Sequence, residues 1–146
     1  MRQPILTLGK YEIMDAVGSG GMATVYRARV AGPMGFEKPV AVKVLQDEAA
    51  EDADVVRMFI DEARLGARLS HPNITSILDF GEADGRYFMA MEFVDGASLS
   101  VLLKHGGTRK NRRLQPNCAV HVTASILRAL AYAHTLTDEQ HKPMGI

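Results

Sequence analysis

Three glycines in four positions constrain this chain more than any other feature: Gly18, Gly20 and Gly21 in Val17-Gly18-Ser19-Gly20-Gly21-Met22-Ala23-Thr24-Val25-Tyr26. Without Cβ atoms at those positions, the backbone can take positive φ and turn N–H groups onto an anion. The residues C-terminal to the glycines decide the kind of loop. Positions 24–30 alternate, with Val25, Arg27 and Arg29 against Tyr26, Ala28 and Val30. That is strand periodicity, whereas a dinucleotide fingerprint opens a helix. No Gly-Lys-Ser or Gly-Lys-Thr occurs, so a phosphate loop of that kind is excluded as well. The loop joins two strands, and by itself it also fits an ordinary glycine-rich hairpin.

The chain's 146 residues, 47% hydrophobic with no net formal charge, fit one soluble domain with a real core and argue against a nucleic-acid or membrane surface. Residues 1–10 carry no leader pattern, and no run of about 18 apolar residues could span a bilayer, so the expected setting is cytoplasmic. The single Cys118 falls in an apolar helical pattern, which predicts a small buried thiol.

Residues 10–17 alternate as a first strand running into the loop, the second strand ends near Val30, and Gly32-Pro33-Met34-Gly35 is a turn. A third strand, 39–45, divides by pleat into Val40, Val42 and Val44 on one face and Ala41, Lys43 and Leu45 on the other. Residues 54–69 are helical by period, with Asp52 and Asp54 at the positive end. Glu62 falls within the apolar arc of that helix, where a carboxylate needs a cation. Lys43 is the candidate. The alternatives are a solvated strand lysine and a glutamate reaching past Gly66 to water.

Taken together these residues resemble the eukaryotic-like Ser/Thr protein kinases, the bacterial branch in particular. Gly18-Ser19-Gly20-Gly21-Met22-Ala23-Thr24-Val25-Tyr26 is similar to the family's nucleotide loop, with Ala23 where the third glycine usually stands. Val40-Ala41-Val42-Lys43 resembles its phosphate-lysine motif, and Glu62 resembles its helix glutamate. Leu69-Ser70-His71-Pro72-Asn73-Ile74 is similar to the turn after that helix, and Met91-Glu92-Phe93-Val94 to the hinge. The resemblance implies an α+β fold: a kinase N-lobe of five antiparallel strands and one long helix, then the first helices of a truncated C-lobe. The implied limits are an extension over 1–9, the N-lobe over 10–93, the hinge over 94–97 and an incomplete C-lobe over 98–146.

The resemblance also implies an ATP site. Val17, Gly18, Ser19, Gly20 and Gly21 cover the phosphates, Lys43 contacts the α- and β-phosphates, and Glu62 fixes Lys43. Val25 and Ala41 enclose the adenine, Met91 is the gatekeeper, backbone groups of Glu92 and Val94 hold the adenine edge, and Ser98 approaches the ribose. Gly66 stands where the family often carries a bulky residue. Mg²⁺ is the implied metal, with its ligands and the catalytic aspartate in a part absent from this sequence.

Asp79-Phe80-Gly81 spells the family's metal motif but precedes the hinge, so it reads as a strand end, with 81–85 as the turn between strands 74–78 and 86–93. Residues 97–104 suit a short helix, which Ser98 equally suits as a cap. The basic run 104–113, with Gly106-Gly107, reads as a solvated loop. Residues 117–135 form a helix with hardly any polar face, which implies a larger core or self-association through that helix. The expectation is the ATP-binding half of a kinase that phosphorylates protein Ser/Thr hydroxyls, inactive by itself, with ATP and protein substrates as partners and no nucleic acid or membrane contact. The alternative is a freestanding half-kinase acting as a binding or regulatory module. A nicotinamide oxidoreductase fits poorly, because the loop precedes a strand.

Overall fold

The computed structural model describes residues 6–105, 114–138 and 140–146, and it divides into two units: Met1–Ser70 with Thr75–Val94, and His71–Ile74 with Asp95–Ile146. The first unit holds six strands: β1 (Leu6–Leu8), β2 (Tyr11–Ser19), β3 (Ala23–Ala31), β4 (Glu37–Leu45), β5 (Ile77–Ala83) and β6 (Arg86–Glu92). They form one antiparallel sheet in the order β1-β2-β3-β4-β6-β5. A short helix, α1 (Asp47–Ala50), and a long one, α2 (Ala53–Ala67), come after β4. The five expected strands and the long helix are present. The sixth strand, β1, lies in the stretch read as an extension, and it joins the sheet because Leu8 is fully buried opposite Tyr11.

The pleat divides the core into two. Val40, Val42, Phe88 and Ala90 join Tyr11 and Ile13 on one face. On the other, Ala23, Leu45 and Met89 pack against Phe59 and Ala63 of α2. Asp52 caps α2, its carboxylate accepting from the Asp54 N–H at 2.9 Å. Gly66 lies against the sheet: a Cβ there would stand 2.6 Å from Ile77 Cδ1, so this helix approaches β5 closely because the position carries no side chain.

Asp79-Phe80-Gly81 is not a strand end but the middle of β5, and the turn is the two-residue Asp84-Gly85. Both turn residues have positive φ, 53° and 74°, as a twist-matched Asp-Gly hairpin requires. A bulge explains how an aspartate sits inside this strand. Ile77 pairs with Met91 but Asp79 with Ala90, so one extra residue, Leu78, reverses the alternation. Phe80 thereby joins the α2 side, while Asp79 turns to Tyr11, whose hydroxyl donates to its carboxylate at 2.8 Å. Lys10 adds an ion pair at 2.9 Å.

This cluster makes a pH prediction. Burial, and then the bond to Asp79, push the Tyr11 phenol from 10.0 up to about 12. A folded value above the unfolded one stabilises fully below pH 10 and is lost as pH rises from 10 to about 12. The Asp79 carboxyl is held below its ordinary 3.8, chiefly by the hydrogen bond from Lys10, so its contribution is lost only as pH falls below that range. Tyr11→Phe is expected to flatten the decline of melting temperature between pH 10 and about 12; an unchanged slope would contradict the assignment.

In the second unit, α3 spans Leu99–His105 and α4 spans Pro116–His134. His71 stacks on Tyr132 with ring centroids 5.3 Å apart, and the Asn73 side chain donates to the Ser125 carbonyl at 3.1 Å. Cys118 is exposed rather than buried: it lies in the first turn of α4, and Ala133 is the buried residue of that helix. Val120, Ile126, Leu127 and Leu130 are exposed too. Residues 106–113, which hold Gly106-Gly107 and most of the basic run, lie outside the described residues. Among the described residues, no helix is long and apolar enough to cross a membrane.

Candidate functional site

Sheet register builds the site. Gly18, Val25, Lys43 and Met89 lie opposite one another across β2, β3, β4 and β6, and directly opposed residues share a face. Lys43 therefore projects on the side where α2 packs, beneath the end of the glycine loop. Arg27, Ala41 and Met91 form the neighbouring row on the same face. Irregular register on either side of Ala16 bends β2 just before the glycines.

Lys43 Nζ donates to both oxygens of Glu62, at 2.7 and 2.6 Å, across nineteen residues of sequence. It also stands 5.5 Å from the centroid of the Phe59 ring, within cation–π range. The Glu62 side chain is 50% exposed, against 19% for Lys43. The pairing expected from the sequence is present, but Glu62 does not face the core. The buried stripe of α2 is Phe59 and Ala63, and Glu62, three residues after Phe59, sits at the edge of that stripe, where its carboxylate keeps contact with water. Phe59, which carries the lysine on its ring, is a site residue that the sequence reading misses, although its spacing of three from Glu62 is legible there.

The glycine loop closes on itself through the Gly20 N–H, which donates to the Ala23 carbonyl at 2.9 Å. A Cβ built at Gly18 or Gly21 would meet nothing within 4 Å, so the glycines front open space. Gly18, Ser19, Gly20, Gly21, Val25 and Lys43 all line one cavity of about 570 Å³. A cradle of this size with one buried-stemmed ammonium and bare backbone fits an extended polyanion.

Of the other expected site residues, Val17 is exposed in β2 just before the loop, and Ala41 is buried opposite Met91. The Glu92 N–H is committed to the Ser76 carbonyl at 2.9 Å, so that donor is not available to a ligand. Val94 is exposed and ends the first unit. Ser98 belongs to the second unit, where its Oγ accepts from the Val101 N–H at 3.3 Å and lies 3.2 Å from Ser100 Oγ, which is the capping alternative. Among the described residues no group of three His, Cys, Asp or Glu could hold a metal ion. The described residues therefore supply no such cluster for the implied Mg²⁺, and its ligands are not placed among them.

Known proteins are similar to this chain. The family described as protein kinase domain matches residues 11–137. The chain is 36% identical over 138 residues to the tyrosine-protein kinase MasK of Myxococcus xanthus, covering 94% of this chain and 21% of MasK. It is 37% identical over 126 residues to the serine/threonine-protein kinase PrkC of Bacillus subtilis, covering 86% of this chain and 18% of PrkC. The crystal structure of the Mycobacterium tuberculosis PknI kinase domain superposes with a TM-score of 0.68 at 30% identity, covering 89% of this chain and 50% of that one. Rad53 1–466, solved with AMP-PNP, superposes with a TM-score of 0.65 at 30% identity, covering 86% of this chain and 30% of that one. The chain thus spans about a fifth of the length of these curated relatives and about half of the PknI kinase domain.

Proposed function

The chain belongs to the protein kinase domain family, and from that premise we propose that its first unit binds the triphosphate of ATP beneath the glycine loop, as half of a Ser/Thr kinase. The observation that carries this reading is Lys43, which lines the glycine cavity while its ammonium is held by both oxygens of Glu62. Lys43 meets the α- and β-phosphates. Glu62 holds the ammonium in place, so that little side-chain freedom is lost on binding. Loop amides at Ser19 and Gly21 donate to phosphate oxygens, the Gly20 N–H being held by the Ala23 carbonyl, and the missing Cβ atoms allow close approach. Val25 and Ala41 pack on the adenine, with Met91 as gatekeeper beside them. The Glu92 carbonyl and Val94 N–H serve the adenine edge, since the Glu92 N–H is already taken.

In the parent reaction, a protein Ser or Thr hydroxyl oxygen forms the new bond to the γ-phosphorus as the bond to the β-bridging oxygen breaks. ADP leaves, and the hydroxyl proton passes to a base. Kinases use Mg²⁺ to neutralise the phosphates during this transfer. This chain's residues bind and orient, which is positioning rather than bond-making. Its sequence contains no His-Arg-Asp to supply the base.

The expected outcome is saturable ATP binding that raises the melting temperature with ligand concentration, together with no phosphate transfer to a generic protein substrate above a Lys43→Met control. Absence of ATP binding in calorimetric titration would sink the nucleotide reading. Transfer above that control would sink the division of labour.

A further inference from the structure

Gln46 occupies the N-cap position of α1, where Ser, Thr, Asp or Asn would ordinarily serve, yet its side chain makes no capping bond. It reaches back to the glycine loop instead. Its amide nitrogen lies 3.2 Å from the Gly20 carbonyl oxygen, 3.3 Å from Thr24 Oγ1 and 3.4 Å from Ser19 Oγ. The Gly20 carbonyl can only accept, so the nitrogen and not the oxygen of the amide must face the loop. Ser19 and Thr24 hydroxyls lie 3.1 Å apart, and one amide group thus touches both arms of the loop and its tip.

The backbone that carries Gln46 is held independently of its side chain. Its N–H donates to the Met22 carbonyl at 2.9 Å, and its carbonyl accepts from the Ala50 N–H at 2.9 Å. The next residue, Asp47, takes two hydrogen bonds from the Arg86 guanidinium, at 3.1 and 3.2 Å. A fixed backbone with a side chain aimed at a glycine-rich segment is a tether. Each contact is long and individually weak, but they add a side-chain restraint to a segment with three glycines that is otherwise held by its strand pairing, the Gly20 N–H to Ala23 carbonyl bond and the Gln46 N–H to Met22 carbonyl bond.

We propose that Gln46 is a positioning residue that holds the glycine loop from behind at the height where its amides meet nucleotide phosphates. The proposal rests on the nucleotide reading above. It requires a loss confined to ligands that carry phosphates, because adenosine does not reach Gly20.

The test compares wild type, Gln46→Leu, Thr24→Val and the double variant by titration with ATP and with adenosine, alongside amide exchange at residues 19–22. Gln46→Leu keeps the bulk without the donor. It is expected to weaken ATP about three- to tenfold, leave adenosine within about twofold, and speed exchange of the loop amides. Thr24→Val is expected to do less alone and to add nothing on top of Gln46→Leu. Wild-type ATP affinity and exchange in Gln46→Leu would overturn the proposal, as would equal losses for ATP and adenosine, which mark a general loss of structure. Should Gln46→Leu fail to fold, Gln46→Met carries the test, since it keeps the length of the side chain with no charge and no proton to give; the same ATP-selective loss is expected, and its absence overturns the proposal. A wild type that binds no ATP refutes the nucleotide reading instead, and the exchange comparison then decides the tether alone.

Discussion

Phe59→Ala is expected to cost the first unit about 3–5 kcal/mol, a large part of the 5–15 kcal/mol that holds a typical domain together. Phe59 has no exposed surface, and with Ala63 it makes up the buried contact of α2 with Ala23, Leu45 and Met89. Its ring meets that of Phe80 at a centroid distance of 6.0 Å and a tilt of 49°. Alanine leaves a void that the neighbouring Ala63, itself small, cannot fill, so the cavity cost adds to the lost transfer energy. The same ring sits under Lys43, so the variant is expected to lose nucleotide affinity along with stability. Urea denaturation followed by circular dichroism measures the first effect. A loss below about 1 kcal/mol would mean that α2 is not held to the sheet by this side chain.

Lys43→Met is expected to do the opposite: little to stability, much to binding. The Lys43–Glu62 pair is half open to water on the glutamate side, and such pairs contribute at most about 1 kcal/mol to folding. Methionine keeps the stem that packs near Phe59. Binding should suffer doubly, because the ammonium is removed from the phosphates and Glu62 remains as a bare carboxylate beside them. Charge-assisted hydrogen bonds of this kind predict a loss in ATP affinity on the order of tenfold to a hundredfold, with adenosine affected little. Titration with the two ligands separates the outcomes. Equal weakening of both would place Lys43 outside the phosphate site, and a melting temperature lowered by more than about 8 °C would make it a structural residue.

Much of this arrangement is legible along the chain. The alternation of Val40, Val42 and Val44 against Ala41, Lys43 and Leu45 survives intact in the two faces of β4, because a strand's period of two leaves no other choice once one face is buried. The Lys43–Glu62 pairing is legible for a weaker reason. It rests on supposing Glu62 buried, whereas the carboxylate stands at the rim of the packed stripe. Asp79 escapes a reading by period because the bulge at Leu78 shifts the strand's alternation by one, and periodicity cannot signal an inserted residue whose partner lies on another strand. Cys118 escapes it because an apolar helical pattern states which residues could be buried, not what covers them.

By itself, then, the sequence determined that β2, β3, β4 and β6 are strands, where the glycine loop turns and how the side chains of β4 divide between the two faces, since these depend on neighbours two to four residues apart. Only the tertiary structure decided that Tyr11 and Lys10 hold Asp79, that Phe59 underlies Lys43, and that Gln46 abandons its helix to reach the loop. Those contacts join residues up to 69 positions apart, and their geometry is set by how strands twist and helices settle on them, which no local pattern encodes.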